Sequence, residues 1–257
     1  MLIKIAVCLL AGLGAGLGTG LAGMSAAAVI SPMLIICLGI SAYEAIGIAL
    51  ASDVLASAVS AYTYGKNKNL DIKNGLVMMM VVLLFTFIGS MLSAHVENNV
   101  MGNFSLFITT FMGIKFIMKP VMTTKEMMEN KSQKVRVIQS IFCGILIGCI
   151  CGFIGAGGGM MMLMILTSVL GYELKTAVGT SVFIMSFTAL TGALSHFSIG
   201  GVPDYFVLVM CMVFTLIFAR LAARFANIAS PKTLNRAMGV VLVILGIVMI
   251  SIKIFFN

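Results

Sequence analysis

Charge is what this 257-residue chain has least of: 16 Lys and Arg and 8 Asp and Glu make up only 9% of it, against roughly 25% in soluble domains. So few charges cannot coat a globule whose residues are 61% apolar, and a soluble fold is excluded. Disorder is excluded for the opposite reason, because it needs low hydrophobicity and high charge. Histidine is almost missing, at two residues. The six cysteines, Cys8, Cys37, Cys143, Cys149, Cys151 and Cys211, all fall in apolar stretches. The clustered thiols with His or acidic help that zinc sites and disulfide frameworks require are absent. Cys149 and Cys151, the one close pair in sequence, point in different directions on a helix, so the cysteines read as small buried hydrophobes. No Walker motif is present, which argues against ATP-driven transport by this chain alone. No nucleophile has a histidine within motif spacing. What the chain does have is long apolar runs, and these make it an all-α, polytopic membrane protein. Its net charge of +8 then describes loops, not a nucleic-acid surface.

Hydrophobic runs bounded by charge or turn residues divide the chain into ten segments: 3–22, 25–38, 43–64, 74–94, 101–118, 136–152, 160–170, 174–197, 205–224 and 236–254. Most reach the ~20 residues needed to cross a ~30 Å hydrocarbon core. Segments 25–38 and 160–170 do not, being about 21 Å and 16 Å long as helices. Both follow glycine-rich breaks, at Gly23 and at Gly155–Gly159. Residues 1–23 have the lysine and apolar run of a secretory signal, but the same pattern recurs in mid-chain, so the segment is expected to stay.

That recurrence is a repeat. A shift of 132 residues superposes Gly12, Gly16, Gly20 and Gly23 on Gly144, Gly148, Gly152 and Gly155, and then Leu38, Gly39, Ala45, Gly47 and Ala61 on Leu170, Gly171, Ala177, Gly179 and Ala193. The register holds over fifty residues with matching segment lengths, which predicts duplication: a membrane repeat over 1–118, a linker over 119–135 and a second repeat over 136–257. Charge then orients the halves. Twelve of the sixteen cations lie in three loops, 65–73, 119–136 and 220–236, whereas loops 94–100 and 198–204 have none. The positive-inside rule puts the first three in the cytoplasm and the last two outside. Loop 65–73 is the repeat equivalent of 198–204 yet lies on the opposite side, so the halves are predicted to be two inverted five-segment repeats, each with one short or re-entrant broken helix. The predicted location is a bacterial-type inner (cell) membrane, multi-pass, with 119–135 cytoplasmic.

Inverted repeats carrying a short, Gly-interrupted helix at matching positions point to a secondary-transporter binding site. A helix too short to span leaves up to four N–H groups without intrahelical partners, which are costly in hydrocarbon unless protein, water or ligand satisfies them. Glycines at 155, 157, 158 and 159 let the backbone turn and keep its amides open. The start of helix 160–170 then offers donors and a positive dipole end to an anion. By inversion, helix 25–38 approaches from the opposite side, with Gly23, Met24, Ser25 and Ala26 at its break, and the two ends converge near the midplane. Close helix packing is the alternative use of these glycines.

The string GAGGG (155–159), a short helix, Gly171 and then AVGTS (177–181) resembles the signature of the TauE/SafE sulfite-exporter family, also called the toluene-sulfonate uptake permeases. The first half echoes it in Gly23-Met-Ser-Ala-Ala-Ala, Pro32, Gly39 and AIGIA (45–49). The resemblance covers essentially the whole chain. It implies a small permease for compact sulfur oxyanions, sulfite or organosulfonates, with Gly23, Met24, Ser25, Ala26, Gly155, Ala156, Gly157, Gly158, Gly159, Thr180 and Ser181 around the substrate. Two departures stand out: Ala26 and Ala27 where the family often has glycines, and Met164 where a proline is common.

Further candidates come from helix faces. Thr176, Thr180, Thr188, Thr191 and Ser195 share one face of 174–197, and Ser52, Ser57, Ser60 and Tyr64 do much the same on 43–64; ligand contact and interhelical hydrogen bonding are both open to them. Asp53 lies eleven residues into its 22-residue segment, near mid-bilayer, where an ionisable group is expensive and by default functional. Its repeat mate is Met185. It can carry a coupling proton or accept from the orphan N–H groups of a short helix. His196 and Arg220 are secondary candidates, the arginine with lipid snorkelling as its alternative. The methionines, including Met160, Met161, Met162 and Met164, read as packing or lipid-facing residues. The expected partners are a small anion and the lipid bilayer, with a homo-oligomer compatible and nucleic acid not expected. No cofactor, metal or catalytic residue is expected. Two other functions compete: a Cu(I)-type soft-metal permease lined by Met and Cys, and an intramembrane enzyme using Cys149 or Ser181.

Overall fold

A computed structural model describes residues 1–93, 110–111, 114–124, 133–154, 158–200 and 203–256. The described residues are helical, without strands: α1 (Leu2–Ala22), α2 (Ala27–Leu38), α3 (Ala42–Lys66), α4 (Ile72–Ser93), α5 (Gln133–Ile154), α6 (Gly158–Ser168), α7 (Leu174–Gly200), α8 (Tyr205–Ile228) and α9 (Pro231–Phe256). Five of them, α1, α3, α7, α8 and α9, contain stretches long and apolar enough to cross a membrane. Bulky residues such as Leu84, Phe142, Leu194 and Ile254 are exposed on the outside of the bundle, as lipid contact requires. Of the expected segment 101–118, only the helical residues 110–111 and 114–118 are described.

The short helices stop where glycine permits it. Gly23, Gly39 and Gly171 adopt left-handed φ values of 62°, 64° and 68° that other residues disfavour. After α2 the Ile40 amide reaches back to the Leu34 carbonyl, and after α6 the Tyr172 amide reaches back to Leu166. These are the same positions under the 132-residue shift.

Close-packed glycines fix the direction of each helix. A Cβ on Gly12 would lie 2.6 Å from Phe214 Cβ, and one on Gly16 would lie 2.7 Å from Phe218 Cβ, so α1 and α8 run side by side in the same direction. Gly144 meets Val81 and Gly148 meets Phe85, which sets α5 parallel to α4. Gly192 meets Leu50 whereas Gly179 meets Tyr64, so α3 and α7 are antiparallel. Small residues at these contacts let the backbones approach, and van der Waals packing takes the place of the hydrophobic effect inside a bilayer.

The bundle has two ends. Lys4, Glu44 and Asp204 meet at one; Asn69 and Asn227, Asp71 and Tyr172, and Val121 and Asn235 meet at the other, beside the basic loops. Helices α1, α3 and α8 run from the first end to the second, whereas α4, α5, α7 and α9 run back. Among the described helices, three of the first half thus run opposite to their shifted counterparts: α1 to α5, α3 to α7 and α4 to α8. Part of the packing recurs when the halves are exchanged: α1 packs on α8 as α5 does on α4, and α2 on α3 as α6 on α7, whereas α3 packs far more extensively on α8 than α7 does on α4. Helix α2 starts beside the middle of α3 and ends where α3 begins, so α1 and α2 form a hairpin that returns to its own side.

Candidate functional site

The two breaks meet. A Cβ on Gly159, in the first turn of α6, would overlap the Gly23 carbonyl oxygen and lie 2.5 Å from the Met185 sulfur. The Gly23 position is itself pressed against Ser181 Oγ, whose hydroxyl donates to the Val178 carbonyl at 2.8 Å. Thr19 donates to the Met24 carbonyl at 2.8 Å, holding the turn after α1. The structure therefore brings together Gly23, Met24, Ser25, Ala26, Gly159 and Ser181. Gly155, Ala156 and Gly157 lie outside the described residues, and so does the side chain of His196 in α7.

Asp53 is the twelfth of the 25 residues of α3 and only 1% exposed. Its carboxylate accepts from Ser25 Oγ at 2.7 Å and from Ser57 Oγ at 2.8 Å, and the Ala26 amide is a third donor. Ser25 Oγ in turn accepts from the Ala27 amide at 3.3 Å. A negative group thus lies on the amino end of α2, where orphan N–H groups and the helix dipole favour it. Of the two roles open to Asp53, the acceptor role is visible in the geometry. The second half differs: its counterpart Met185 puts an apolar thioether on the first turn of α6. Among the described residues, the two short helices therefore present unlike amino ends: a carboxylate lies on that of α2 and a methionine sulfur on the first turn of α6.

Other predicted residues go elsewhere. Thr180, although buried, accepts from the Asp71 amide at 3.2 Å, at the basic end of the bundle. Ser52 donates to its own helix at Ile48, and Thr188 and Thr191 do likewise at Met185 and Phe187. Ser60 Oγ is buried and without a partner among the described residues. Tyr64 reaches across to the Gly20 carbonyl at 2.9 Å. Arg220 and Arg224 are exposed near the inner end of α8, in keeping with snorkelling. Met160, Met161 and Met162 are buried in the core, and Met164 packs against it.

Two sets of contacts between the halves carry no motif in the sequence. At one end Lys4 Nζ donates to Asp204 Oδ2 at 2.7 Å, and the Asp204 amide donates to Glu44 Oε1 at 2.7 Å. The Lys4 hydrogen bond, helped by the amides of Phe206 and Val207, holds the Asp204 carboxyl below the usual carboxylate range. At the other end Tyr172 Oη donates to Asp71 Oδ2 at 2.9 Å, and Asn69 donates to Asn227 at 2.6 Å. The two sets correspond: Asp204 caps α8 and Asp71 accepts from the Asn74 amide at the start of α4, while each aspartate's own amide bonds a side chain on the third helix of the opposite half. The only hint in the sequence was an aspartate just before each apolar run.

Comparison with known proteins agrees with this architecture. The family profile described as "Sulfite exporter TauE/SafE" matches residues 8–249. The chain is 23% identical to the probable membrane transporter protein YdhB of Bacillus subtilis, over 91% of this chain and 96% of that protein. It is 26% identical to the probable membrane transporter protein YunE of the same organism, over 93% and 92%. A probable membrane transporter protein of Methanocaldococcus jannaschii, MJ0441, is 24% identical over 80% of this chain and 78% of its own length. No solved structure matches.

Proposed function

This chain belongs to the sulfite exporter TauE/SafE family, a multi-pass membrane transporter by kinship and by its helices, and on that premise we propose that it carries small sulfur oxyanions, sulfite or organosulfonates, by alternating access. The observation that carries the reading is the meeting of the two helix breaks at Gly23 and Gly159, with Ser181 beside them. In a bilayer such irregular backbone is tolerated only where it is buried in protein or lines a cavity. The halves 1–118 and 136–257 act as an inverted pair joined by a cytoplasmic linker, 119–135, because the basic loops gather at one end.

In this reading the substrate anion binds at the amino end of α6, on the amides of Gly155–Gly159 with Ser181 beside them. The amino end of α2 already holds the Asp53 carboxylate and does not need a second anion. Met24, Ser25 and Ala26 then shape the wall of the site. Asp53 couples transport to protons: protonation removes the charge that holds Ser25, Ser57 and Ala26 together and frees that wall to move. The inter-half contacts at Lys4–Asp204–Glu44 and at Asp71–Tyr172 are the outer and inner latches, and with both closed the bundle is in its occluded state.

Proteoliposomes holding the purified protein test the assignment. Labelled sulfite and sulfoacetate are expected to enter faster than in empty vesicles, and inward flux should rise when the external side is made acidic. If neither anion moves or binds, the substrate assignment falls. Flux that ignores the pH gradient would remove only the coupling.

A further inference from the structure

The α1–α8 contact repeats once per turn in a fixed register. A Cβ on Gly12 would lie 3.0 Å from the Thr215 amide, one on Gly16 2.8 Å from the Ala219 amide and one on Gly20 3.0 Å from the Ala223 amide. The constant offset of 203 pairs Cys8 with Cys211 one turn earlier. Both thiols are free and wholly buried, and they lie near enough to influence each other electrostatically. Their counterparts under the repeat shift are Ser140 and Met79, so the pair is no part of the internal symmetry. Nor does helix packing call for a pair of sulfurs here, since the rest of the seam is made by α1 glycines closing on the backbone of α8 and on Phe214 and Phe218.

We propose that Cys8 and Cys211 form a redox pair that closes to a disulfide, joining the first half to the second at the end of the bundle away from the basic loops. Closure breaks two S–H bonds and forms one S–S bond. Two electrons and two protons pass to a membrane-permeant two-electron acceptor, such as a quinone reduced to its hydroquinone. A disulfide needs Cα atoms about 4.4–6.8 Å apart, and one turn away the backbones of the two helices already approach closely at Gly12 and Thr215. Access is short, because the pair lies one turn below the half-exposed Lys4 and the exposed Leu2 and Ile3. The sidedness proposed above puts this end outside, where disulfides persist, but the test does not depend on it.

A protease site placed in the linker 119–135 of the full chain allows the halves to be nicked apart after purification. After diamide treatment most of the nicked wild-type protein should run as one band on a non-reducing gel and separate into two with dithiothreitol. The Cys8→Ser and Cys211→Ser variants should separate under both conditions. A Cys8→Ala variant serves if serine disturbs folding, and mass spectrometry of the oxidised wild type should find the peptides of Cys8 and Cys211 joined. Wild-type halves that separate after diamide, or a link that survives Cys8→Ser, would overturn the proposal.

Discussion

Replacing Asp53 by asparagine separates the two jobs its carboxylate can do. As an acceptor the carboxylate takes Ser25 at 2.7 Å, Ser57 at 2.8 Å and the Ala26 amide. The asparagine carbonyl can keep Ser25 and Ala26, while its NH2 turns to Ser57, whose hydroxyl rotates to accept. What is lost is the difference between charge-assisted and neutral bonds, about 1 kcal/mol for each, or roughly 2–3 kcal/mol in all. Asp53→Leu would instead bury the Ser25 hydroxyl and the Ala26 amide without an acceptor, at about 1–3 kcal/mol each, and is the variant expected to fold poorly. As a proton carrier the carboxylate has no substitute, because an amide does not titrate. With one proton moved per anion, one pH unit is worth about 1.4 kcal/mol, or about tenfold accumulation of substrate. In vesicles held at a one-unit gradient, the wild type should therefore reach about tenfold. Asp53→Asn should stop level with the bath while still exchanging sulfite downhill. Equal accumulation by the two proteins would refute coupling through Asp53 and leave it as the cap of α2.

Gly159→Val should abolish sulfite flux while leaving helix content unchanged, because the added Cβ meets the Gly23 backbone carbonyl, which cannot swing aside; overpacking of this kind costs about 1–3 kcal/mol. Gly65→Ala, whose Cβ would meet only the flexible end of Leu70 at 3.3 Å, is the control expected to keep flux, and equal activity in both would sink the argument. Asp204→Asn should lower the thermal midpoint near neutral pH and converge with the wild type in acid. The folded Asp204 carboxyl titrates below its ordinary value, so its stabilisation is present above about pH 4 and is lost as pH falls through the folded value. Melting curves from neutral pH downward check this, and a difference that grew on acidification would contradict the Lys4–Asp204 contact as its source.

Segment boundaries were legible to within a few residues wherever hydropathy changes sharply. Helix α2 begins at Ala27 and not at residue 25, because the Ser25 side chain is engaged with Asp53 and the Ala27 amide. Helix α8 runs on to Ile228, past the exposed arginines Arg220 and Arg224 that hydropathy treats as an end. Asp53 was conspicuous from its depth alone. Its partner Ser25 was not, since a whole short helix and 28 residues of sequence separate them. Thr180 was marked by a family motif as a substrate contact; that its hydroxyl also accepts from the Asp71 amide, 109 residues away, was not legible. Glu44 and Asp204 lie 160 residues apart, and nothing local in either stretch announces the other.

The sequence by itself determined that this is a polytopic helical membrane protein, where its two helices break, and which loops gather the cations. These follow from hydropathy, glycine placement and charge, which act within a helix length of the residues that carry them. Only the tertiary structure decided that the two breaks touch, that the amino end of α2 already holds a carboxylate while that of α6 faces a methionine, and that Cys8 lies against Cys211. Each of these depends on which faces of which helices pack together. That choice is made by small residues closing on backbone over distances of a few ångströms, across separations of up to two hundred residues along the chain.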